Sequence, residues 1–218
     1  MDLNAFFIKI SGYTIPILFA IALHEVAHGW MARCFGDRTA EMLGRLSLNP
    51  LRHIDPVGTL LVPAILLVAG VPVFGWAKSV PVATSVLRHP RRAMVCVALA
   101  GPGANLAMAA FWCGVLGIAL RVRGSILVDH WVAYMAQAGI LINVLLALIN
   151  LLPILPLDGG RIVAALLPQR LGVRFAKIEP IGLWIVIALI VVGLVGWMFK
   201  PALYMVGHII SALFGARS

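Results

Sequence analysis

The sequence predicts an all-α polytopic membrane protein, a single domain over residues 1–218 built of about four to six membrane segments with one re-entrant hairpin or short β element. Three observations carry that prediction. Hydrophobic residues make up 62% of the chain and charged residues 11%, against roughly 25% charged in soluble domains, and the mean hydropathy is +1.03. Long apolar runs recur from one end to the other, separated by short polar stretches. Inside one of them, from about Tyr13 to Met31, stand two imidazoles and a carboxylate in five positions, His24-Glu25-Val26-Ala27-His28.

The net charge of +9 does not indicate nucleic acid, because the basic residues lie beside membrane segments. Arg33, Arg38, Arg45 and Arg52 form one group, Lys78, Arg88, Arg91 and Arg92 a second, and Arg161, Arg170, Arg174 and Lys177 a third. The positive-inside tendency places all three on the cytoplasmic side, against anionic lipid headgroups. Cys34, Cys96 and Cys113 have neither paired nor metal-type spacing, so they read as small apolar residues. The N-terminus lacks the basic region and cleavage site of a signal peptide, so the first apolar segment is expected to be retained.

Taken in order, residues 1–12 mix Phe6, Phe7 and Ile8 with Asp2 and Lys9 and read as an interfacial lead-in ended by Gly12. A long helix follows from about Tyr13 to Phe35, with Pro16 in its first turn and Gly36 as C-cap. Residues 37–55 are polar and basic, with turn signals at Asn49-Pro50 and Asp55-Pro56. His53 in this loop could be a ligand, but beside Arg52 it reads more simply as a solvated histidine.

Val57–Val73 is apolar but 17 residues long, marginal for crossing about 30 Å of hydrocarbon. Crossing would put the flanking basic groups on opposite sides. The segment is therefore expected to enter and return, with Trp76–Ala83 extended on the way back. An ordinary short membrane helix with an outer loop is the other reading. The alternation in Lys78-Ser79-Val80-Pro81-Val82 gives this stretch an edge, at Ser79 and Val80, that can pair with an extended substrate.

Ala93–Leu120 is long enough to span and carries Gly101-Pro102-Gly103-Ala104-Asn105. The small residues permit close helix approach and Asn105 brings an amide that needs a partner, which suits either a packing kink or an active-site wall. Trp131–Leu157 returns inward with Asn143 and Asn150, and Pro153 and Pro156 break it ahead of Asp158. After another basic stretch, Pro180–Phe199 spans, and Ala202–Phe214 is too short to cross straight. His208 reads as a hydrogen-bonded structural histidine.

Four residues of α-helix advance about 400°, so His24 and His28 share one face and can reach one metal ion, with Glu25 beside them. This is the H-E-x-x-H arrangement, in which two histidines hold zinc and the glutamate is general base toward water. A structural or pH-sensing histidine pair is the plainer alternative. Against it, an ionisable residue at membrane depth costs roughly 2.5–3.5 kcal/mol and is retained for a function. A catalytic zinc needs a third protein ligand and an open position, and Asp158 completes that set better than any histidine. Asn143 and Asn150 are seven apart and share a helix face. One suits an oxyanion donor and the other a helix-joining role, and Asn150, nearer Asp158, is favoured as the donor.

His24-Glu25-x-x-His28, Gly101-Pro102-x-x-Asn105 and Asn150-x-x-Pro153-x-x-x-x-Asp158-Gly159 follow one another on successive helices. Together they resemble the site-2 protease family of intramembrane zinc metalloproteases, over roughly residues 20–165. The resemblance implies one Zn2+ held by His24, His28 and Asp158, with Glu25 as catalytic base and Asn150 close to the reacting carbonyl. The motif occupies the later half of its helix, so the site of this multi-pass protein of the cell membrane is expected nearer the basic cytoplasmic end. The substrates the resemblance implies are transmembrane segments, often of signalling proteins such as anti-sigma factors or membrane-bound regulators. The chain has no PDZ-like insert and no full helix before the metal-bearing one, which makes the compact prokaryotic type the nearest match. Two other classes stay open. A zinc transporter or sensor is better served by polar sites strung across the bilayer, whereas these converge at one depth. A catalytically idle membrane scaffold would typically have lost Glu25 or a ligand, and all four residues are present.

Overall fold

The computed structural model of the protein describes residues 3–62, 65, 78–121 and 126–214. The metal-motif helix, α1, runs from Leu3 to Cys34. It begins well before Tyr13, so the expected interfacial lead-in is helix instead. Gly12, which reads locally as a breaker, lies inside α1, where a Cβ would come 2.6 Å from the ring of Tyr134. Its missing side chain serves helix contact. Pro16 is accordingly interior to the helix, and fully buried. At the other end Gly36 takes φ +99° and the Asp37 amide donates back to the Ala32 carbonyl at 3.0 Å, the expected glycine cap.

Both turn signals of the following loop form. After the short helix α2 (Thr39–Met42), Asn49 Oδ1 accepts the Leu51 amide and heads a 3-10 turn over Pro50–His53. Asp55 Oδ1 accepts the Val57 and Gly58 amides and heads a π-turn over Pro56–Leu61. The expected entry and return of Val57–Val73, and the start of the Trp76–Ala83 stretch, lie largely outside the described residues. Lys78–Ala83 forms no regular element, with Ala83 in extended backbone, and no β-strand occurs among the described residues.

Helix α3 spans Pro90–Ala119 and α4 Ile126–Asn150. These two and α1 all pack on one another, and α5 (Asp158–Leu166) lies against α3. One apolar cluster joins Ala32 of α1 to Ala93 and Val97 of α3 through Leu87. A second, near the far end of α3, joins Trp112 and Leu116 to Ala136 and Ile140 of α4. Trp131 Nε1 donates to Ser11 Oγ at 2.9 Å, and the Tyr13 and Tyr134 rings meet edge to face at 5.6 Å, which fastens α1 to α4.

The basic stretch after Asp158 folds as α5 and α6 (Gln169–Ala176), and two further helices follow, α7 (Glu179–Val191) and α8 (Leu194–Phe214). Here the expected division is moved. The apolar run Pro180–Phe199 is not one helix, because the chain turns by 67° between α7 and α8, with Gly193 at φ +77°, a conformation that costs glycine least. Pro201 then falls inside α8 without ending it, as membrane helices tolerate.

Three helical stretches are long and apolar enough to cross a membrane, Ile10–Cys34, Pro90–Ala119 and Trp131–Asn150, or four if the bent α7–α8 pair counts as one. That count, against four to six expected, belongs to the described residues. Exposed Phe111, Ile118, Trp184 and Trp197 supply the apolar surface that lipid requires.

Candidate metal centre

Four residues apart on α1, the His24 and His28 rings stack edge to face with centroids 4.6 Å apart, and their Nε2 atoms are 2.9 Å apart. From the start of α5, Asp158 Oδ2 comes within 3.3 Å of both. The three residues are 8%, 9% and 6% exposed.

The other side of each ring decides what these atoms are. His28 Nδ1 lies 2.7 Å from the Val97 carbonyl, which can only accept, so Nδ1 carries the proton and in the neutral ring Nε2 keeps a lone pair. His24 Nδ1 lies 2.6 Å from Asn105 Oδ1. The orientation of that amide is fixed by a chain of bonds. Asn143 Nδ2 donates to the Gly139 carbonyl at 2.8 Å, so Asn143 Oδ1 accepts from Asn105 Nδ2 at 3.0 Å, while Asn105 Nδ2 also reaches the Ala20 carbonyl at 3.2 Å. Asn105 Oδ1 is thus left to accept from His24 Nδ1, and His24 Nε2 also presents a lone pair.

Two imidazole lone pairs therefore face a carboxylate oxygen that is buried without a hydrogen-bond partner. Three electron-rich atoms this close repel one another unless a cation lies between them. An ion about 2.0–2.2 Å from each atom of a tetrahedral site needs them about 3.3–3.6 Å apart; both histidine–aspartate separations, 3.3 Å, meet this, and the 2.9 Å between the two Nε2 atoms is shorter. The donor set, two neutral histidines and one carboxylate, suits zinc, and His24, His28 and Asp158 are the residues that could hold it.

Glycines allow the elements to meet. A Cβ at Gly101 of α3 would run into both histidine rings, and one at Gly159 or Gly160 would strike backbone of the 151–155 turn that delivers Asp158. Gly182 of α7 meets that turn as well, at the Leu155 carbonyl.

Glu25 is half-buried, and its Oε2 accepts the Val80 amide at 2.7 Å. Of the two strap residues expected at a substrate edge, Val80 is buried with its amide committed to Glu25, and Ser79 is exposed. Asn105 belongs to the centre through His24. Asn150 donates from Nδ2 to the Leu146 carbonyl of its own helix at 2.9 Å and, among the described residues, makes no hydrogen bond to Glu25 or the three clustered residues. Asn143 takes the helix-joining role.

His53 overturns its expectation. It is 1% exposed, with Nε2 donating to the Ser47 carbonyl at 2.8 Å and its own carbonyl accepting the Lys78 amide at 2.9 Å. It is buried because its turn packs against α1, and it is not part of the metal cluster. The sequence reading passed over Asp37, which is 1% exposed. The pattern Gly36-Asp37-Arg38-Thr39, a helix cap followed by an Asx-type turn, is the signal that marks it.

A helical membrane bundle that brings two imidazole lone pairs and a carboxylate together beside a glutamate defines a membrane-embedded metallohydrolase. The family model for peptidase family M50 matches residues 113–193. The Bacillus subtilis protein YwhC, named as a zinc metalloprotease, is 37% identical over 208 residues, covering 93% of this chain and 90% of YwhC. Two proteins named Rip2, also as zinc metalloproteases, are similar. The Mycolicibacterium smegmatis one is 30% identical over 90% of this chain and 72% of its own length. The Mycobacterium tuberculosis one is 32% identical over 90% and 71%. No solved structure matches. The chain belongs to peptidase family M50, the site-2 proteases. It is a multi-pass intramembrane zinc metalloprotease that uses Zn2+ and acts on membrane proteins in a lipid environment.

Proposed function

We propose that the chain, acting as one domain from the cytoplasmic side, hydrolyses peptide bonds within or next to transmembrane segments of membrane-bound signalling proteins. His24, His28 and Asp158 hold one zinc and Glu25 is the catalytic base. The observation that carries the reading is the convergence of two histidine lone pairs on the unpartnered Asp158 oxygen. The basic groups beside the helix ends support the cytoplasmic side.

Bound zinc supplies Lewis acidity, polarising a carbonyl and making water nucleophilic near neutral pH. Glu25 takes a proton from the attacking water and passes it to the leaving nitrogen as the carbon–nitrogen bond breaks. With Oε2 held by the Val80 amide, the carboxylate reaches the water in a fixed orientation. Asn105, tied to Asn143, keeps His24 in the tautomer that binds metal. Asn150 serves the carbonyl oxygen by exchanging its bond to Leu146 for one to substrate. A substrate helix must unwind before its carbonyl is reachable. With the Val80 amide committed to Glu25, Ser79 offers the free edge for the extended segment.

The test measures zinc content and cleavage of a model transmembrane substrate on the same detergent-purified samples of wild type and Asp158→Ala. Loss of both in the variant is expected. Unchanged zinc and turnover in Asp158→Ala would place the third ligand elsewhere.

A further inference from the structure

Asp37 lies twelve residues beyond Glu25, past the end of α1. Both of its carboxylate oxygens accept hydrogen bonds. Oδ1 accepts the Thr39 amide at 2.9 Å and the Thr39 hydroxyl at 2.5 Å, and Oδ2 accepts the Ala83 amide at 2.7 Å. Ala83 ends the strap Lys78–Ala83, three residues after the Val80 amide that donates to Glu25. The strap is seated directly on α1. At Gly29, one turn after Glu25, a Cβ would come 2.9 Å from Val80 Cγ1. Two more ties bracket it, from the Lys78 amide to the His53 carbonyl and from the Arg88 amide to the Phe35 carbonyl, each at 2.9 Å.

Glu25 and Asp37 are thus two acidic side chains of one helix and its cap, each taking an amide of the same short strap. Pro81, lying between the two donors, has a fixed φ and keeps Val80 extended. Where Ala83 is anchored therefore decides where the Val80 N–H points, and that N–H decides how the Glu25 carboxylate lies. Asp37 itself is absent from the metal cluster and makes no hydrogen bond to it among the described residues.

We propose that Asp37 is a positioning residue for Glu25. It anchors the strap at Ala83, so that the Val80 amide holds the Glu25 carboxylate in the orientation used for proton transfer. This rests on Glu25 being the base, as proposed above.

The test uses the full zinc-loaded chain in detergent with a model transmembrane substrate. Asp37→Ala removes the acceptor of the anchor. Ala83→Pro removes its donor while Asp37 stays in place, at a residue whose φ of −85° lies near proline's range. Both variants are expected to keep wild-type zinc content and a KM within about twofold of wild type, and to lose about tenfold to a hundredfold in kcat. Amide exchange over residues 78–88 should quicken in both. Wild-type kcat in either variant overturns the proposal, and so does loss of zinc in either, which would make Asp37 a residue of the fold alone. Glu25→Gln, assayed alongside, separates the two layers. An active Glu25→Gln overturns the base assignment, whereas an inactive one beside a fully active Asp37→Ala overturns only the positioning role.

Discussion

The side-chain nitrogen of Asn105 donates to the side-chain oxygen of Asn143 across 3.0 Å, and through that bond α4 sets the tautomer of an imidazole on α1. Donation runs from His24 Nδ1 through both asparagines to the Gly139 carbonyl. Removing Asn105 leaves His24 Nδ1 without its acceptor, so Asn105→Ala should weaken zinc binding by about tenfold to a hundredfold. Asn143→Ala, one bond further out, should cost less. Competition for zinc against a calibrated chelator measures both, and equal affinity in Asn105→Ala and wild type would remove the second layer of the centre from the account.

Gly101 and Gly103 stand two residues apart on α3 and face different surroundings. A Cβ at Gly101 would collide with both histidine rings, whereas one at Gly103 meets nothing within 4 Å. Gly101→Ala should lose zinc and cleavage together. Gly103→Ala should match wild type in both, within experimental scatter. Zinc analysis of the pair decides the point without any need to compare substrates.

Glu25→Gln removes the proposed base while keeping the volume of the side chain. Zinc content should stay at the wild-type level and turnover should fall by about a hundredfold to ten-thousandfold. Single-turnover cleavage measures the loss, and retained turnover would assign proton transfer to another group.

Asp37 gives a prediction in pH. Burial raises its carboxyl, but the Thr39 hydroxyl, the Thr39 amide and the Ala83 amide outweigh that and hold it below the usual carboxylate value. A lowered folded-state pKa contributes stability that is fully present above the unfolded value of about 3.9 and is lost as pH falls through the folded value. Wild type should therefore be more stable than Asp37→Asn at pH 7, by roughly 1–3 kcal/mol, and the gap should close as the medium is acidified below about pH 4. Unfolding followed by tryptophan fluorescence at both pH values tests the sign. A gap that widens in acid contradicts it.

The candidate ligands were legible because an apolar run does not carry two imidazoles and a carboxylate by accident of packing, and a spacing of four sets both rings on one face. Asp158 was legible from Pro153 and Pro156, which had to break the helix before it. Other features depend on partners far away in the chain. Gly12 reads as a breaker until Tyr134 is laid against it, and His53 reads as solvated until its turn docks on α1 and Lys78 closes over its carbonyl. The α7–α8 break fell at Gly193 rather than near Pro201, since a membrane helix accommodates a proline more readily than a side-chain-bearing residue accommodates φ +77°. Asp37 was missed because a single aspartate in a basic loop is ordinarily a solvated one, and only its three donors distinguish it.

The strap over α1 is fastened by what it donates from its backbone. The amides of Lys78, Val80 and Ala83 go to a carbonyl and two carboxylates, while the side chains of Lys78 and Ser79 stand exposed immediately beside the residue that touches Glu25. Those two positions are therefore free to diversify. Charge, bulk or polarity can change there, beside the proposed base, without touching the backbone bonds that hold the strap on α1.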